Sequence, residues 1–239
     1  MSDDVITRKW YQNWKAVILL FAAIAIVHFA AAFLKSILLN LVGMTLYPLA
    51  ALALVKKEAW GEIGIRKIAS WLHVFWGSLW GVVFVVVSSF LLHYWVGFST
   101  SSYLVVMAKQ QLSYGVITKQ NAWQYFPIAV VGFGTLSPLT EEPFFRGMMM
   151  RALERQFSAE VANLVQGLLF GFIHLAYLWL TEFNAMLMVT MVPVIALAGY
   201  LYGWVAQRTG SVFSSMIVHS LVNGLLMVWV YGIIIPVLG

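Results

Sequence analysis

The chain alternates long apolar stretches with short polar ones, in a pattern that fits a membrane better than a soluble core. A helix needs roughly 20 apolar residues to cross about 30 Å of hydrocarbon. Seven stretches stand out, each bounded by charged or turn residues: 16–34, 37–55, 71–97, 125–139, 161–180, 183–206 and 211–235. The pattern predicts seven membrane spans, or eight if the last stretch breaks around Gly224.

Two further segments predict elements that do not cross. Residues 98–124 are too polar to span and are typical of a loop that contains an interfacial helix. Residues 144–157 mix apolar side chains and arginines at helical spacing, which predicts an amphipathic segment that lies at a membrane surface or leaves one.

Composition supports the same fold class. Apolar residues make up 62% of the 239 positions and charged residues 10%, against about 25% charged in a typical soluble domain. We therefore predict an all-α, polytopic transmembrane helical bundle, an integral multi-pass membrane protein. The chain has no cysteine, which excludes disulfides, thiol nucleophiles and thiolate zinc sites.

The net charge of +5 follows the predicted topology. Three lysines, Lys35, Lys109 and Lys119, fall on one side of the predicted spans. Ten basic residues fall on the other side: Arg8, Lys9, Lys15, Lys56, Lys57, Arg66, Lys67, Arg151, Arg155 and Arg208. The positive-inside rule then places the N-terminus in the cytoplasm. The basic excess is explained by topology, so no nucleic-acid partner is predicted.

Charged residues stand directly against an apolar run in the segment PLTEEPFFRG. Glu141, Glu142 and Arg146 would each cost roughly 2.5–3.5 kcal/mol at the bilayer centre if left unpaired. Glu142 and Arg146 are four residues apart on one helical face, which predicts a salt bridge. Glu141 then points about 100° away and is available for other chemistry.

Two prolines bracket this acidic pair. Pro143 is tolerated in a first helical turn, so the sequence favours a helix that starts with Thr140 as its N-cap. A helix start at membrane depth needs a protein-lined cavity. We therefore expect a broken helix near Pro138 and Pro143, with the break facing an internal, wet pocket.

Two more spans present polar groups at helical spacing. Gly167, Gly171 and His174 share one face, and the glycines allow a neighbouring helix to approach closely. The last span carries an inward stripe of four polar residues at every fourth position: Ser211, Ser215, His219 and Asn223.

The set Glu141, His174, His219 and Asn223 restricts the chemistry. A pair of catalytic aspartates is excluded, because the only aspartates are Asp3 and Asp4, and no HExxH zinc motif is present. A serine nucleophile at position 215 or 220 stays conceivable but lacks a glycine-flanked elbow. Water activated by a glutamate and a histidine fits the residues best.

Three short motifs then become informative together. EEPFFRG, FGFIH and HSLVN match EExxxR, FxxxH and HxxxN, and GYLYGWVAQRTGSVFSSMIVH precedes the third motif. Over about residues 138–224 the chain resembles the CPBP family, the CAAX-protease and bacteriocin-processing (ABI) intramembrane proteases. The resemblance implies a catalytic helical core over 125–239, preceded by transmembrane helices and a polar loop over 1–124 whose role in substrate access is open.

The resemblance also implies residue roles. Glu141 would be the general base, working with His174 to position and deprotonate a water. His219 and Asn223 would donate hydrogen bonds to the oxyanion of the tetrahedral intermediate, as fixed donors in a dry site do.

Supporting roles and the metal question follow from the same resemblance. Glu142 and Arg146 would brace the site, and Phe170 would pack the substrate pocket. The family picture implies glutamate catalysis with no cofactor. Two histidines and a carboxylate are also a possible catalytic zinc set. That alternative would use Glu141, His174 and His219.

The predicted activity is therefore intramembrane hydrolysis of a hydrophobic or lipid-anchored peptide, such as a prenylated CAAX tail. In a prokaryote the protein would lie in the cytoplasmic membrane. Two other functions are kept as alternatives. One is a non-proteolytic bacteriocin-immunity or scaffold protein of the same fold. The other is a proton-coupled transporter with Glu141 and His174 as a relay, although no inverted repeat supports it.

Overall fold

The computed structural model describes residues 9–113, 116–176 and 184–238, and these are helical almost throughout, with no β-strand among them. The eleven α-helices of the described residues are α1 (Trp14–Phe33), α2 (Ile37–Ala53), α3 (Trp71–Val96), α4 (Tyr103–Ser113), α5 (Ala122–Val131), α6 (Ser137–Glu142), α7 (Met150–Glu154), α8 (Ala159–Ile173), α9 (Ala185–Thr209), α10 (Val212–Trp229) and α11 (Ile235–Leu238).

Five helices of the described chain are long and apolar enough to cross a membrane. They are Trp14–Phe33, Trp71–Val96, Ala159–Ala176, Ala185–Thr209 and Val212–Leu238, and α2 adds a shorter apolar helix over Leu41–Ala53. The predicted all-α fold is confirmed for the described residues. The count of seven to eight spans stays a prediction, and the predicted ends of the fifth and sixth spans at 177–183 lie outside the described residues.

The helices α5, α6 and α7 form one helical stretch over residues 122–154. They are joined by two π-helical segments, Gly132–Leu136 and Pro143–Met149. The prediction of a helix start at Thr140 is therefore wrong. A proline inside an α-helix clashes with the preceding turn, and the wider π turns next to Pro138 and Pro143 let the helix continue instead.

The segment 144–157 also differs from its prediction. Phe144, Phe145 and Met148 have no exposed surface, and burial continues to Leu153. The segment is the buried end of the long helix, with Arg151 and Glu154 partly exposed and residues 155–157 at the surface. The arginines suggested a polar face, but Arg146 is paired with Glu142 inside the bundle.

Two further predictions concern residues 98–124 and the last apolar stretch. A helix does occur within 98–124, as α4, and its apolar residues are buried against neighbouring helices. The last stretch is continuous from α10 through a π-helical segment, Val230–Ile234, into α11. It does not break at Gly224, so the eighth span is not formed there.

Close packing between α8 and α9 confirms the predicted glycine face. A Cβ added at Gly171 would lie 2.8 Å from the carbonyl oxygen of Val192, and one at Gly167 would lie 3.0 Å from that of Ala196. The two backbones therefore touch where the sequence places small residues. This contact fixes the end of α8, where His174 stands.

Basic residues collect at one end of the bundle. Lys9 and Arg155 both approach Glu62, at 2.9 and 3.9 Å, and the Arg66 side chain donates to the carbonyl oxygen of Gly210 at 2.6 Å. Lys35 lies beyond the opposite end of α1. The predicted segregation of charge is present in these described residues. Arg8 lies outside them, and the cytoplasmic orientation of the N-terminus stays a prediction.

Two apolar clusters form the core. One combines residues of α1, α2 and α3 with residues of α8, α9 and α10, and the second combines α4 and α5 with the end of the last helix. The predicted division between 1–124 and 125–239 stays a prediction. The interior cavity described next lies among residues of both clusters.

Candidate active site

An interior cavity of about 110 Å³ brings the four predicted catalytic residues together. Its polar lining includes Glu141, His174, His219 and Asn223, which come from α6, the end of α8, and α10. A water needs only about 10–15 Å³ of such space, so several fit. The predicted pocket exists, although it is formed beside a continuous helix.

Glu141 presents its carboxylate to this cavity. Oε1 accepts a hydrogen bond from the Ser137 hydroxyl at 2.7 Å, one helical turn earlier. Oε2 is buried and has no hydrogen-bond partner among the described residues. An unpaired buried carboxylate oxygen is costly, so this atom is the natural partner of a water molecule.

Glu142 points into the protein and takes a different role. Its Oε1 lies 3.0 Å from Arg146 Nη1 and accepts from His219 Nδ1 at 2.7 Å. The side chains of Glu142 and Arg146 have no exposed surface at all. The predicted i,i+4 salt bridge is confirmed, and it extends to a histidine that sequence reasoning had assigned only to the cavity.

Arg146 is held by more than its carboxylate partner. Its guanidinium carbon lies 4.2 Å from the centre of the Phe170 ring and 5.1 Å from that of Tyr202. Nη2 donates to the carbonyl oxygen of Gly199 at 3.2 Å. Arginine suits this setting because its planar, weakly hydrated head stacks on aromatic rings.

His174 ends α8 as its C-cap residue. Nδ1 lies 2.7 Å from the carbonyl oxygen of Phe170, and because a carbonyl only accepts, Nδ1 carries the proton. In the neutral ring, Nε2 then carries the lone pair. This tautomer can accept a proton or a hydrogen bond at Nε2.

His219 is fixed by contacts on several sides. Its ring stacks on Tyr202, with centroids 4.3 Å apart and planes 19° apart, and the Phe170 ring lies edge-on at 5.8 Å. With Nδ1 donating to Glu142, the ring orientation is set. His219 retains only 3% of its exposed surface, at the cavity lining.

Asn223 donates from Nδ2 to the carbonyl oxygen of Phe133 at 2.8 Å. This carbonyl needs a partner because the π-helical segment displaces its usual one. The amide of Ser137 donates instead to Gly132, and Pro138 has no N–H. One N–H of Asn223 is thereby committed to the backbone, and its amide has a second one.

The role that the resemblance implies for Phe170, packing the substrate pocket, stays a prediction. Phe170 is 2% exposed, lines the cavity, and contacts the His174 ring with centroids 4.8 Å apart. The apolar remainder of the cavity lining includes three methionines, Met107, Met191 and Met227. Methionine side chains adapt to varied apolar shapes.

Two site residues escaped the sequence analysis. Ser137 was detectable, because it lies four residues before Glu141 on the same helical face. Tyr202 was not detectable, because it stacks on His219 across two helices, α9 and α10. The spacing of residues within one helix does not reveal such a contact.

The possible zinc set is not assembled as a metal site. Among the described residues no three carboxylate or histidine side chains are grouped as a metal ion requires. His219 Nδ1 and His174 Nδ1 are engaged with Glu142 and a backbone carbonyl. Whether the activity depends on a metal stays a prediction for experiment.

Fold and cavity together define an all-helical protein with several helices apolar enough to cross a membrane and a buried carboxylate–histidine site. Residues 121–225 match the family model described as Rce1-like, type II CAAX prenyl endopeptidase Rce1-like. This match confirms the CPBP resemblance seen in the motifs. No curated protein and no solved structure matches the chain.

Proposed function

We propose that this protein is an intramembrane endopeptidase that hydrolyses a peptide bond in a hydrophobic or lipid-anchored, CAAX-like peptide or protein. One observation carries the proposal. Glu141 Oε2 is a buried carboxylate oxygen without a partner among the described residues, beside a cavity with room for several waters. The family match supports the reaction class and does not favour the non-proteolytic alternative.

The first step uses Glu141 and His174. A water between them would donate one proton to the Glu141 carboxylate and a hydrogen bond to His174 Nε2 as its oxygen attacks the scissile carbonyl carbon. Collapse of the tetrahedral intermediate breaks the C–N bond. Glu141 returns the proton to the leaving amine, so the carboxylate is regenerated.

The developing oxyanion requires donors. His219 can supply one from Nε2 only when the ring is protonated at both nitrogens, because Nδ1–H already donates to Glu142, which then serves as its counter-ion. Asn223 supplies its second N–H. Fixed donors of this kind contribute about 2.7–4 kcal/mol each to transition-state stabilisation.

Substrate chemistry follows from the rest of the cavity. Its apolar lining favours apolar side chains or a lipid substituent next to the scissile bond, and the bilayer delivers such substrates to a multi-pass protein. We expect a hydrophobic or prenylated peptide as partner, and the cytoplasmic membrane as location in a prokaryote.

The test is cleavage by the purified protein in detergent, with wild type, Glu141→Gln and Glu160→Gln in parallel. Glu160 is an exposed glutamate at the start of α8, so it controls for the loss of one charge. Substrates are prenylated CAAX peptides and unprenylated hydrophobic leader peptides, each with and without a chelator.

We expect cleavage by wild type and Glu160→Gln, a loss of about 10²–10⁴-fold in Glu141→Gln, and no effect of chelator. Cleavage that persists in Glu141→Gln would contradict the assignment of the base. Loss of wild-type activity with chelator, restored by zinc, would establish the metal alternative. Peptide binding without cleavage by folded wild type would favour the immunity or scaffold function.

A further inference from the structure

Tyr47 is a buried tyrosine whose hydroxyl has no hydrogen-bond partner among the described residues. It lies in α2, in the half of the chain outside the family match, and is 3% exposed. Burying a hydroxyl without a hydrogen-bond partner is unfavourable. Its retention in an apolar helix therefore needs an explanation beyond packing.

The Tyr47 ring is fixed on two sides. It stacks on His28 of α1, with centroids 5.3 Å apart and planes 18° apart. The Tyr47 ring also contacts the rings of Phe144 and Phe145, with centroids 5.1 and 5.3 Å away. Gly43, one turn before Tyr47, leaves room for His28, because a Cβ there would lie 3.1 Å from the imidazole.

These phenylalanines bring Tyr47 to the helix that carries Glu141. Phe144 and Phe145 follow Glu141 by three and four residues, within about one turn of it, in the π-helical segment Pro143–Met149. The helix α2 packs against α6, which carries Glu141.

Both groups share the same deficiency. Glu141 Oε2 and the Tyr47 hydroxyl are buried, complementary as acceptor and donor, and without partners among the described residues. No hydrogen bond joins them, and a water between them would donate to Glu141 Oε2 and accept from the Tyr47 hydroxyl. A bridging water with at least two polar partners is a common element of protein interiors.

We propose that Tyr47 is a positioning residue, which holds the Glu141 carboxylate through a bridging water. The Ser137 hydroxyl fixes Oε1, and Tyr47 fixes the orientation of Oε2 from the side of α2. This inference rests on the proposed role of Glu141 as the base. It gives the N-terminal helices a direct part in orienting the site.

The kinetic test compares Tyr47→Phe with Tyr231→Phe. Tyr47→Phe removes one oxygen and keeps the ring stacked between His28 and the phenylalanines. Tyr231 is a fully buried tyrosine in the second apolar cluster, outside the cavity lining. We expect kcat on the order of tenfold lower in Tyr47→Phe, with KM unchanged, and no such change in Tyr231→Phe.

A thermal double-variant cycle keeps the inference testable without activity. The Tm values of wild type, Tyr47→Phe, Glu141→Gln and the double variant show whether the two side chains are coupled. We expect Tm shifts that do not add. Additive shifts, or equal kcat effects of Tyr47→Phe and Tyr231→Phe, would overturn the proposal. Coupled Tm shifts in a protein that cleaves no peptide would support the Tyr47–Glu141 link and refute the proposed function separately.

Discussion

The side-chain amide of Asn223 replaces a missing backbone donor for the carbonyl of Phe133, at 2.8 Å and across 90 residues of sequence. The helix that carries Glu141 therefore depends on α10 for the integrity of its first π-helical turn. Asn223 thus has a structural task that is independent of any contact with an oxyanion.

Replacement of Asn223 by alanine should destabilise the protein as well as slow the reaction. The Phe133 carbonyl would lose its partner, which costs about 1–3 kcal/mol when the group is shielded from water. Thermal unfolding in detergent measures this loss. Pro138→Ala restores a backbone N–H, so the pair Asn223→Ala with Pro138→Ala should recover stability. An unchanged Tm in Asn223→Ala would refute the structural task.

Arg146 does not line the cavity, but Arg146→Met should strongly destabilise the protein. It leaves Glu142 as a fully buried carboxylate with His219 alone as partner, and breaking a buried pair costs about 3–5 kcal/mol. Adding Glu142→Gln removes the orphaned charge. We expect the double variant to be more stable than Arg146→Met in chemical unfolding, and the reverse order would contradict this account of the pair.

Two glycines should respond oppositely to alanine. Gly171→Ala forces a methyl group within 2.8 Å of the Val192 backbone and should cost about 1–3 kcal/mol. Gly224 has no atom within 4 Å of an added Cβ among the described residues and lies inside α10. Gly224→Ala should raise stability by roughly 0.5–1 kcal/mol. Equal Tm values for the two variants would show that α8 and α9 do not touch at Gly171.

The ion pair at the basic end of the bundle predicts a pH-dependent contribution. Hydrogen bonds from Lys9 and Gln12 lower the pKa of Glu62 below its ordinary value of 4.5. When folding lowers the pKa of a carboxyl group, the group stabilises the fold at pH values above its unfolded-state pKa. This stabilisation is lost as the pH falls through the folded-state pKa.

Glu62→Gln should therefore lower Tm slightly at neutral pH, since exposed ion pairs contribute little. The difference from wild type should vanish in acid, well below pH 4.5. Glu58 is an exposed glutamate in the 3-10 helix Lys57–Ile63 that also carries Glu62, so Glu58→Gln controls for lost charge. A Tm difference that grows in acid would contradict the sign.

Local spacing was sufficient for those features that one helix determines by itself. The 3.6-residue repeat correctly paired Glu142 with Arg146 and directed Glu141 elsewhere. The same repeat placed Ser211, Ser215 and His219 on the buried side of α10, and it identified Gly167 and Gly171 as a packing face.

Predictions from residue spacing failed where contacts between two helices determine the structure. The rule that proline interrupts a helix predicted a start at Thr140. It did not anticipate that π turns would absorb the prolines, with Asn223 of α10 satisfying the displaced carbonyl. The stacking of Tyr202 on His219 is equally non-local, because its residues approach only after α9 and α10 pack.

The two π-helical segments around Glu141 make the site sensitive to chain length. Each residue of an α-helix advances the side-chain direction by about 100°, and each π turn accommodates one residue more than an α turn. A one-residue deletion within Gly132–Leu136 would turn Glu141 relative to the preceding α5 by that angle. Sequence change in this part of the helix is therefore restricted to substitutions, because any insertion or deletion reassigns which carboxylate meets the cavity.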